Sequence, residues 1–165
     1  MIDKDQLCES ICMDFEICKH LYTKLPAGSL DYRPTPGQRS TLELLQYIAA
    51  VGKGFFDYML ADDIAVIRAA TETGKLLKAE DFPAAIDAQN AALRAGFASI
   101  TQETFETQLC TMPWAETLTL EQATLANLCK WAPAYKMQLF LYAKSCGAEI
   151  GTPNIWMGMD MPARP

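Results

Sequence analysis

Residues 119–147, TLEQATLANLCKWAPAYKMQLFLYAKSCG, decide the fold class. The segment opens on Thr119 with Gln122 three positions later, the spacing at which a hydroxyl and an amide satisfy free N–H groups at a helix start. It closes on Gly147, a residue suited to the left-handed backbone just past a helix end. The pattern predicts one long helix from Leu120 to about Cys146. Pro133 sits well inside it, lacks an N–H and crowds the carbonyl four residues back. A kink near Cys129 is therefore predicted, at a cost of about 3 kcal/mol unless packing offsets it.

Working outward, three more segments carry the same helical period. Residues 3–24 repeat apolar side chains at three- and four-residue steps through Leu7, Ile11, Phe15, Cys18, Leu21 and Tyr22, and stop at Leu25-Pro26-Ala27-Gly28. Ser40 with Glu43 opens a second helix whose stripe runs through Leu44, Tyr47, Ile48, Val51 and Phe55 toward about Leu60. Asp81, as N-cap before Phe82-Pro83, begins a third that continues through Ile86, Leu93, Phe97 and Ile100 to about Gln108. Residues 62–79 read as a short helix and a turn. No credible strand pair is found, and the tail from Gly151 has no period but carries enough apolar side chains to pack across the helices. The prediction is an all-α four-helix bundle with a long crossover between helices 2 and 3. It forms a single domain over 1–165, with a core at about 3–147 and an irregular tail at 148–165.

Composition narrows the function. The chain has 165 residues, 14 Lys+Arg against 20 Asp+Glu, a net charge of −6 and one histidine. The acidic balance argues against nucleic acid or an anionic membrane as partner, because both need a basic patch to displace counterions. One imidazole excludes any site that needs two or three. The polar start, Met1-Ile2-Asp3-Lys4, has no signal-peptide character, and the apolar run at 137–143 is far short of the ~20 residues a membrane span needs. A cytoplasmic location is expected. The cysteines Cys8, Cys12, Cys18, Cys110, Cys129 and Cys146 contain no CxxC pair, and free buried thiols are expected. Cys8 and Cys12, four apart, share one helical face, a spacing at which two thiols can hold a soft metal, but the buried-thiol reading is preferred for them too.

Two stretches also resemble a known family. Tyr32-Arg33-Pro34-Thr35-Pro36-Gly37-Gln38-Arg39-Ser40, leading into Leu44-Leu45-Gln46-Tyr47-Ile48-Ala49, is similar to the arginine-proline loop and second helix of DinB-like proteins. Trp131-Ala132-Pro133-Ala134-Tyr135-Lys136-Met137-Gln138-Leu139, followed by Tyr142-Ala143-Lys144 and Gly147, resembles the family's HxxxHrxQLxxYlrxxG signature. The resemblance implies that the family's helix order covers about residues 3–147, and that the chain forms a homodimer.

The resemblance also implies where a metal would be sought. The family's three metal-binding histidines fall here on Tyr47, Trp131 and Tyr135. Tryptophan offers only an N–H donor, and a neutral phenol is a poor ligand for Zn or Ni. No cofactor and no metal are therefore expected, and the metal site is read as lost. Trp131 and Tyr135 share a helical face by their spacing of four. With Tyr47 opposite, the rings either fill the former site as a plugged core, pairing their polar atoms with each other, with Gln138 or with water, or wall an aromatic-lined pocket for a small organic ligand. The second course gives Tyr47, Trp131, Tyr135 and Gln138 as pocket residues and no catalytic residue. The alternative is a metal-dependent thiol transferase or isomerase of the same superfamily with an atypical Zn or Ni site.

The remaining polar candidates read as structural. His20 near the end of the first helix suits a capping role toward the helix dipole. Glu43 is a capping residue, Arg33 and Arg39 are expected to pin the proline-rich loop, and Asp62-Asp63 are followed by no calcium-loop spacing.

Overall fold

The computed structural model describes residues 2–160. Helix α1 spans Lys4–Tyr22, α2 Thr41–Ala61, α3 Ile64–Gly74, α4 Phe82–Ala98 and α5 Gln102–Thr107. A hairpin of β1 (Leu109–Thr111) and β2 (Thr117–Thr119) follows, then α6 Leu120–Ala126, α7 Leu128–Ser145 and α8 Thr152–Met157. The architecture is the predicted all-α four-helix bundle, made by α1, α2, α4 and the α6–α7 arm.

Cross-helix contacts give the helix directions. Lys4 Nζ donates to the Phe97 carbonyl at 2.9 Å while Lys19 pairs with Asp87, so α1 and α4 are antiparallel. Gln89 donates to the Ile48 carbonyl at 3.1 Å and Phe97 stacks on Phe56 at 4.3 Å, so α2 and α4 run parallel. Parallel neighbours need a long connection, which residues 62–81 supply with α3 packed on α2. Tyr142 meets the Arg39 carbonyl just before α2, and Tyr135 meets Tyr47 further along, so α7 runs antiparallel to α2. The core is built from the apolar stripes read in the sequence: Ile11, Phe15, Cys18 and Leu21 of α1, Leu44, Ile48 and Val51 of α2, and Ile86, Leu93 and Phe97 of α4 are all buried.

The helix starts follow local chemistry. Ser40 Oγ accepts from Glu43 N while Glu43 accepts from Ser40 N at 2.8 Å, and Thr119 with Gln122 repeats both bonds. Asp63 caps α3 by accepting from Ala65 N, and Asp62 accepts from Thr111 N at 2.6 Å. Both aspartates have structural partners. Asp81 lies before α4 in helical backbone and makes no side-chain cap bond, so its expected capping role is corrected: a 3-10 turn, Ala79–Asp81, feeds the helix instead.

Other expectations are also corrected. The third helix does not run to Gln108 but ends at Ala98, where Thr101 accepts from Thr104 N and starts α5 afresh. The fourth is not one continuous helix to Cys146: it breaks at Asn127, two residues before Cys129, where the backbone takes φ −114° and ψ −81° and the side-chain amide donates to the Ala123 carbonyl at 3.0 Å. The Asn127 backbone N–H reaches the same carbonyl at 2.9 Å, so Ala123 O accepts twice where the helix breaks, six residues before Pro133. A strand pair exists where none was predicted, with Cys110 opposite Leu118. Its tight turn carries Ala115 at φ 68°, a left-handed backbone that Gly or Asn would have advertised. The hairpin is clamped to the end of α2 by Tyr58, whose hydroxyl donates to the Thr111 carbonyl, and by Gln108, which donates to Leu60 O at 3.2 Å. The tail, read as irregular, holds the short helix α8 with Asn154 and Ile155 buried, and residues 161–165 of that tail lie outside the described residues.

All six cysteines are free, four of them buried. No helix among the described residues is long and apolar enough to cross a membrane.

Candidate functional site

α2 and α7 bring the three aromatic positions together. The ring centroids of Tyr47 and Trp131 lie 5.5 Å apart, those of Tyr47 and Tyr135 5.0 Å, and those of Trp131 and Tyr135 4.9 Å. Phe15 of α1 closes the inner side, 5.9 Å from Trp131. These separations and tilts are those of aromatic pairs in contact, each worth roughly 0.5–1.5 kcal/mol beyond area burial. The Trp131 indole N–H is buried and meets no acceptor from the described protein residues. Gln138 does not join the rings: its amide donates to the Tyr142 hydroxyl at 2.7 Å, and that hydroxyl donates to the Arg39 carbonyl at 2.9 Å. The expected pairing of Gln138 with the ring polar atoms is thus corrected: Tyr142, one turn along the same helix, takes its amide N–H.

Arg39 covers the outer side. Its guanidinium carbon lies 3.7 Å from the Tyr47 centroid and 5.9 Å from that of Tyr135, a cation stacked on an aromatic face. Burial pushes the Tyr135 phenol up, the neighbouring Tyr47 adds to this, and Arg39 acts against it. Two clefts adjoin at Arg39 and Glu43. One, of about 360 Å³, is lined by Arg39, Glu43, Gln46, Tyr47, Thr71 and Lys75. The other, of about 540 Å³, is lined by Arg33, Gly37, Gln38, Arg39, Glu43, Tyr135 and Gln138. Tyr47 and Tyr135 therefore each line a cleft, whereas Trp131 lines neither. Arg33 has the pinning role expected of it, donating to the Gln38 carbonyl and pairing with Glu43 at 2.9 Å. The Arg33 bond and the Ser40 N–H hold the Glu43 carboxyl below the usual range. Arg39 differs, because its side chain reaches rings instead of loop carbonyls.

The positions that the family resemblance marks for a metal do not fit one. An indole nitrogen has no free lone pair, two neutral phenols are weak donors, and a guanidinium lies over the ring of Tyr47. Among the described residues no three His, Cys, Asp or Glu side chains gather in a way that would hold a metal ion. Cys8 and Cys12 do approach, Sγ to Sγ at 4.0 Å, but both are buried in the core.

A solved structure matches across most of the chain. It is a DinB-like protein, YjoA of Bacillus subtilis, with a TM-score of 0.66 and 16% identity, covering 88% of this chain and 94% of that one. The fold is DinB-like. No family model matches the sequence, and no curated protein does. α2 and α7 face each other at Tyr47 and Tyr135. The crossover reaches the same cleft because Gln46 of α2 donates to the carbonyls of Lys75 and Leu77, both at 2.9 Å, pinning the end of α3 beside Tyr47.

Sequence reasoning missed Arg39 as a partner of the rings, and Thr71 and Lys75 as cleft residues. Arg39 and Tyr47 are eight positions apart across a helix cap, so no helical spacing links them. Lys75 enters only through the docking of α3.

Proposed function

We propose that this chain is a non-enzymatic DinB-like bundle protein in which an aromatic cluster replaces the metal site, and that it binds a small organic ligand in the cleft over that cluster. The observation that carries the reading is the mutual contact of Tyr47, Trp131 and Tyr135 beneath open clefts at Arg39. Trp131 is the plugged part of the former site; Tyr47, Tyr135 and Gln138 are the ligand-facing part. A concave site with an aromatic wall and few polar groups is the usual build of a small-molecule pocket.

Two measurements test it. Elemental analysis of the purified protein should find no stoichiometric transition metal. One Zn or Ni per chain, lost in Tyr47→Phe or Tyr135→Phe, would instead favour the thiol transferase or isomerase. The triple substitution Tyr47→His, Trp131→His, Tyr135→His should create Ni or Zn binding if these positions are the family's ligand positions, since three imidazoles then converge.

A homodimer belongs to the same reading. Exposed apolar side chains on three elements support it: Met13 of α1, Met137 and Leu141 of α7, and Trp156 of α8.

A further inference from the structure

Resting on the ligand-cleft reading above, we infer that the ligand carries an oxyanion, a carboxylate or a phosphate, which seats on the guanidinium of Arg39. Among the described residues Arg39 forms no ion pair, whereas Arg33 is paired with Glu43 and Arg94 with Glu9. It is half-buried, its guanidinium carbon lies 3.7 Å from the Tyr47 centroid, and it lines both clefts, so its N–H edge adjoins their open space with the Tyr135 hydroxyl beside it. That edge is the part of arginine whose geometry matches a carboxylate or phosphate in a bidentate pair. Stacking also fixes the side chain beforehand, which lowers the ordering cost of binding.

The charge around Arg39 points the same way. The two adjoining clefts are lined by three cations, Arg33, Arg39 and Lys75, and one carboxylate, Glu43; Arg33 is paired with Glu43 at 2.9 Å and Lys75 with Glu72 at 2.6 Å, which leaves the charge of Arg39 uncompensated. This excess of positive charge stands in a chain of net charge −6. The Glu43 carboxylate is already engaged by the Ser40 N–H at 2.8 Å and by Arg33 at 2.9 Å, so it is not poised to take Arg39 from a ligand. A local cationic cleft on an acidic surface concentrates anions where the rest of the surface repels them.

Calorimetric titration of the full chain with three probes tests this: benzoate, its neutral isostere benzamide, and inorganic phosphate. The expected result is one saturable benzoate site, benzamide at least tenfold weaker, and Arg39→Gln weakening benzoate at least tenfold and benzamide by a smaller factor. Arg39→Lys, which keeps the charge and loses the fork, should fall between. Should Arg39→Gln fail to fold, the benzoate-to-benzamide ratio on the unaltered chain still decides. Equal binding of benzoate and benzamide overturns the oxyanion inference and leaves the organic-ligand cleft standing. Phosphate binding as tight as benzoate, and dependent on Arg39, upholds the oxyanion and overturns an organic ligand. No saturation by any probe at millimolar concentration overturns both.

Discussion

The Asn154 amide of α8 meets Nε2 of His20 on α1 at 3.1 Å, joining residues 134 positions apart. Gly151 N donates to Asn154 Oδ1 at 2.8 Å, so it is the NH2 end of the amide that faces the imidazole. Nε2 must then accept, which requires neutral His20 with its proton on Nδ1. His20 was expected to cap α1 from the surface; it is instead half-buried beneath the tail helix, and Thr23 follows it at the helix end.

A pH dependence follows. Burial lowers the His20 pKa, Lys24 lowers it further, and Asp160 at 3.8 Å acts against both. With the folded value below the unfolded one of about 6.5, the unfolded chain binds more protons as pH falls, so stability from neutral His20 is complete above about 6.5 and lost below it. Melting temperature should drop between pH 7.5 and 5.5 more in the natural chain than in His20→Gln, whose side-chain oxygen still accepts from Asn154. Parallel pH profiles for the two would refute this role.

Lys136 of α7 and Asp14 of α1 form a largely buried ion pair at 2.5 Å, with side-chain exposures of 9% and 21%. Removing one partner of a fully buried pair costs about 3–5 kcal/mol, and the partial exposure of Asp14 reduces this to about 2–3 kcal/mol. Lys136→Met alone should lose that much in urea unfolding, while Lys136→Met with Asp14→Leu should recover most of it. A double variant no more stable than the single one would show that the pair is not what holds these helices.

Gly52 of α2 lets Phe15 of α1 approach the helix backbone. A Cβ at Gly52 would overlap Phe15 Cζ and stand 3.0 Å from Gln89 Oε1, the oxygen that accepts from Lys53 N. Gly52→Ala should therefore destabilise by about 1–3 kcal/mol through overpacking, despite alanine's better helix propensity. An unchanged denaturation midpoint would contradict the close approach.

The thiols should be unreactive in the native chain. Burial, helped by Asp14, pushes Cys129 up to about 11, and burial also raises Cys18, Cys110 and Cys146. Cys8 is raised by its hydrogen bond with Cys12 and by burial; the same bond lowers Cys12, whose full burial is what shields it. At pH 7.5 a disulfide reagent should titrate the partly exposed Cys129 and Cys146 slowly and the other four only after denaturation, because the thiolate is the attacking species. Rapid reaction of Cys8 or Cys12 would point to an open first helix.

Sedimentation equilibrium checks the proposed homodimer. A mass twice 18.3 kDa is expected, and Leu141→Glu should shift it toward the single-chain value. A concentration-independent mass of one chain would remove the dimer.

By itself the sequence determined what short-range chemistry encodes. Ser40 with Glu43 and Thr119 with Gln122 form the capping bonds their spacing implies, and the stripes through Ile11, Phe15, Leu44, Ile48, Leu93 and Phe97 are the core. Such signals act over three or four residues, within one helical turn, so they survive without knowledge of the neighbours. The aromatic cluster was legible for the same reason on α7, where Trp131 and Tyr135 are one turn apart, and through the resemblance for Tyr47. Tertiary structure alone decided the rest. Lys136 meets Asp14 across 122 positions, Arg39 turns from its loop onto Tyr47, and Gln138 takes Tyr142 in place of the rings. The hairpin exists because the end of α2 supplies Tyr58 and Asp62 to hold Thr111, and three-residue strands with no glycine at their turn carry no pattern of their own. These contacts depend on which helix faces which, a choice made by burying all the apolar faces at once.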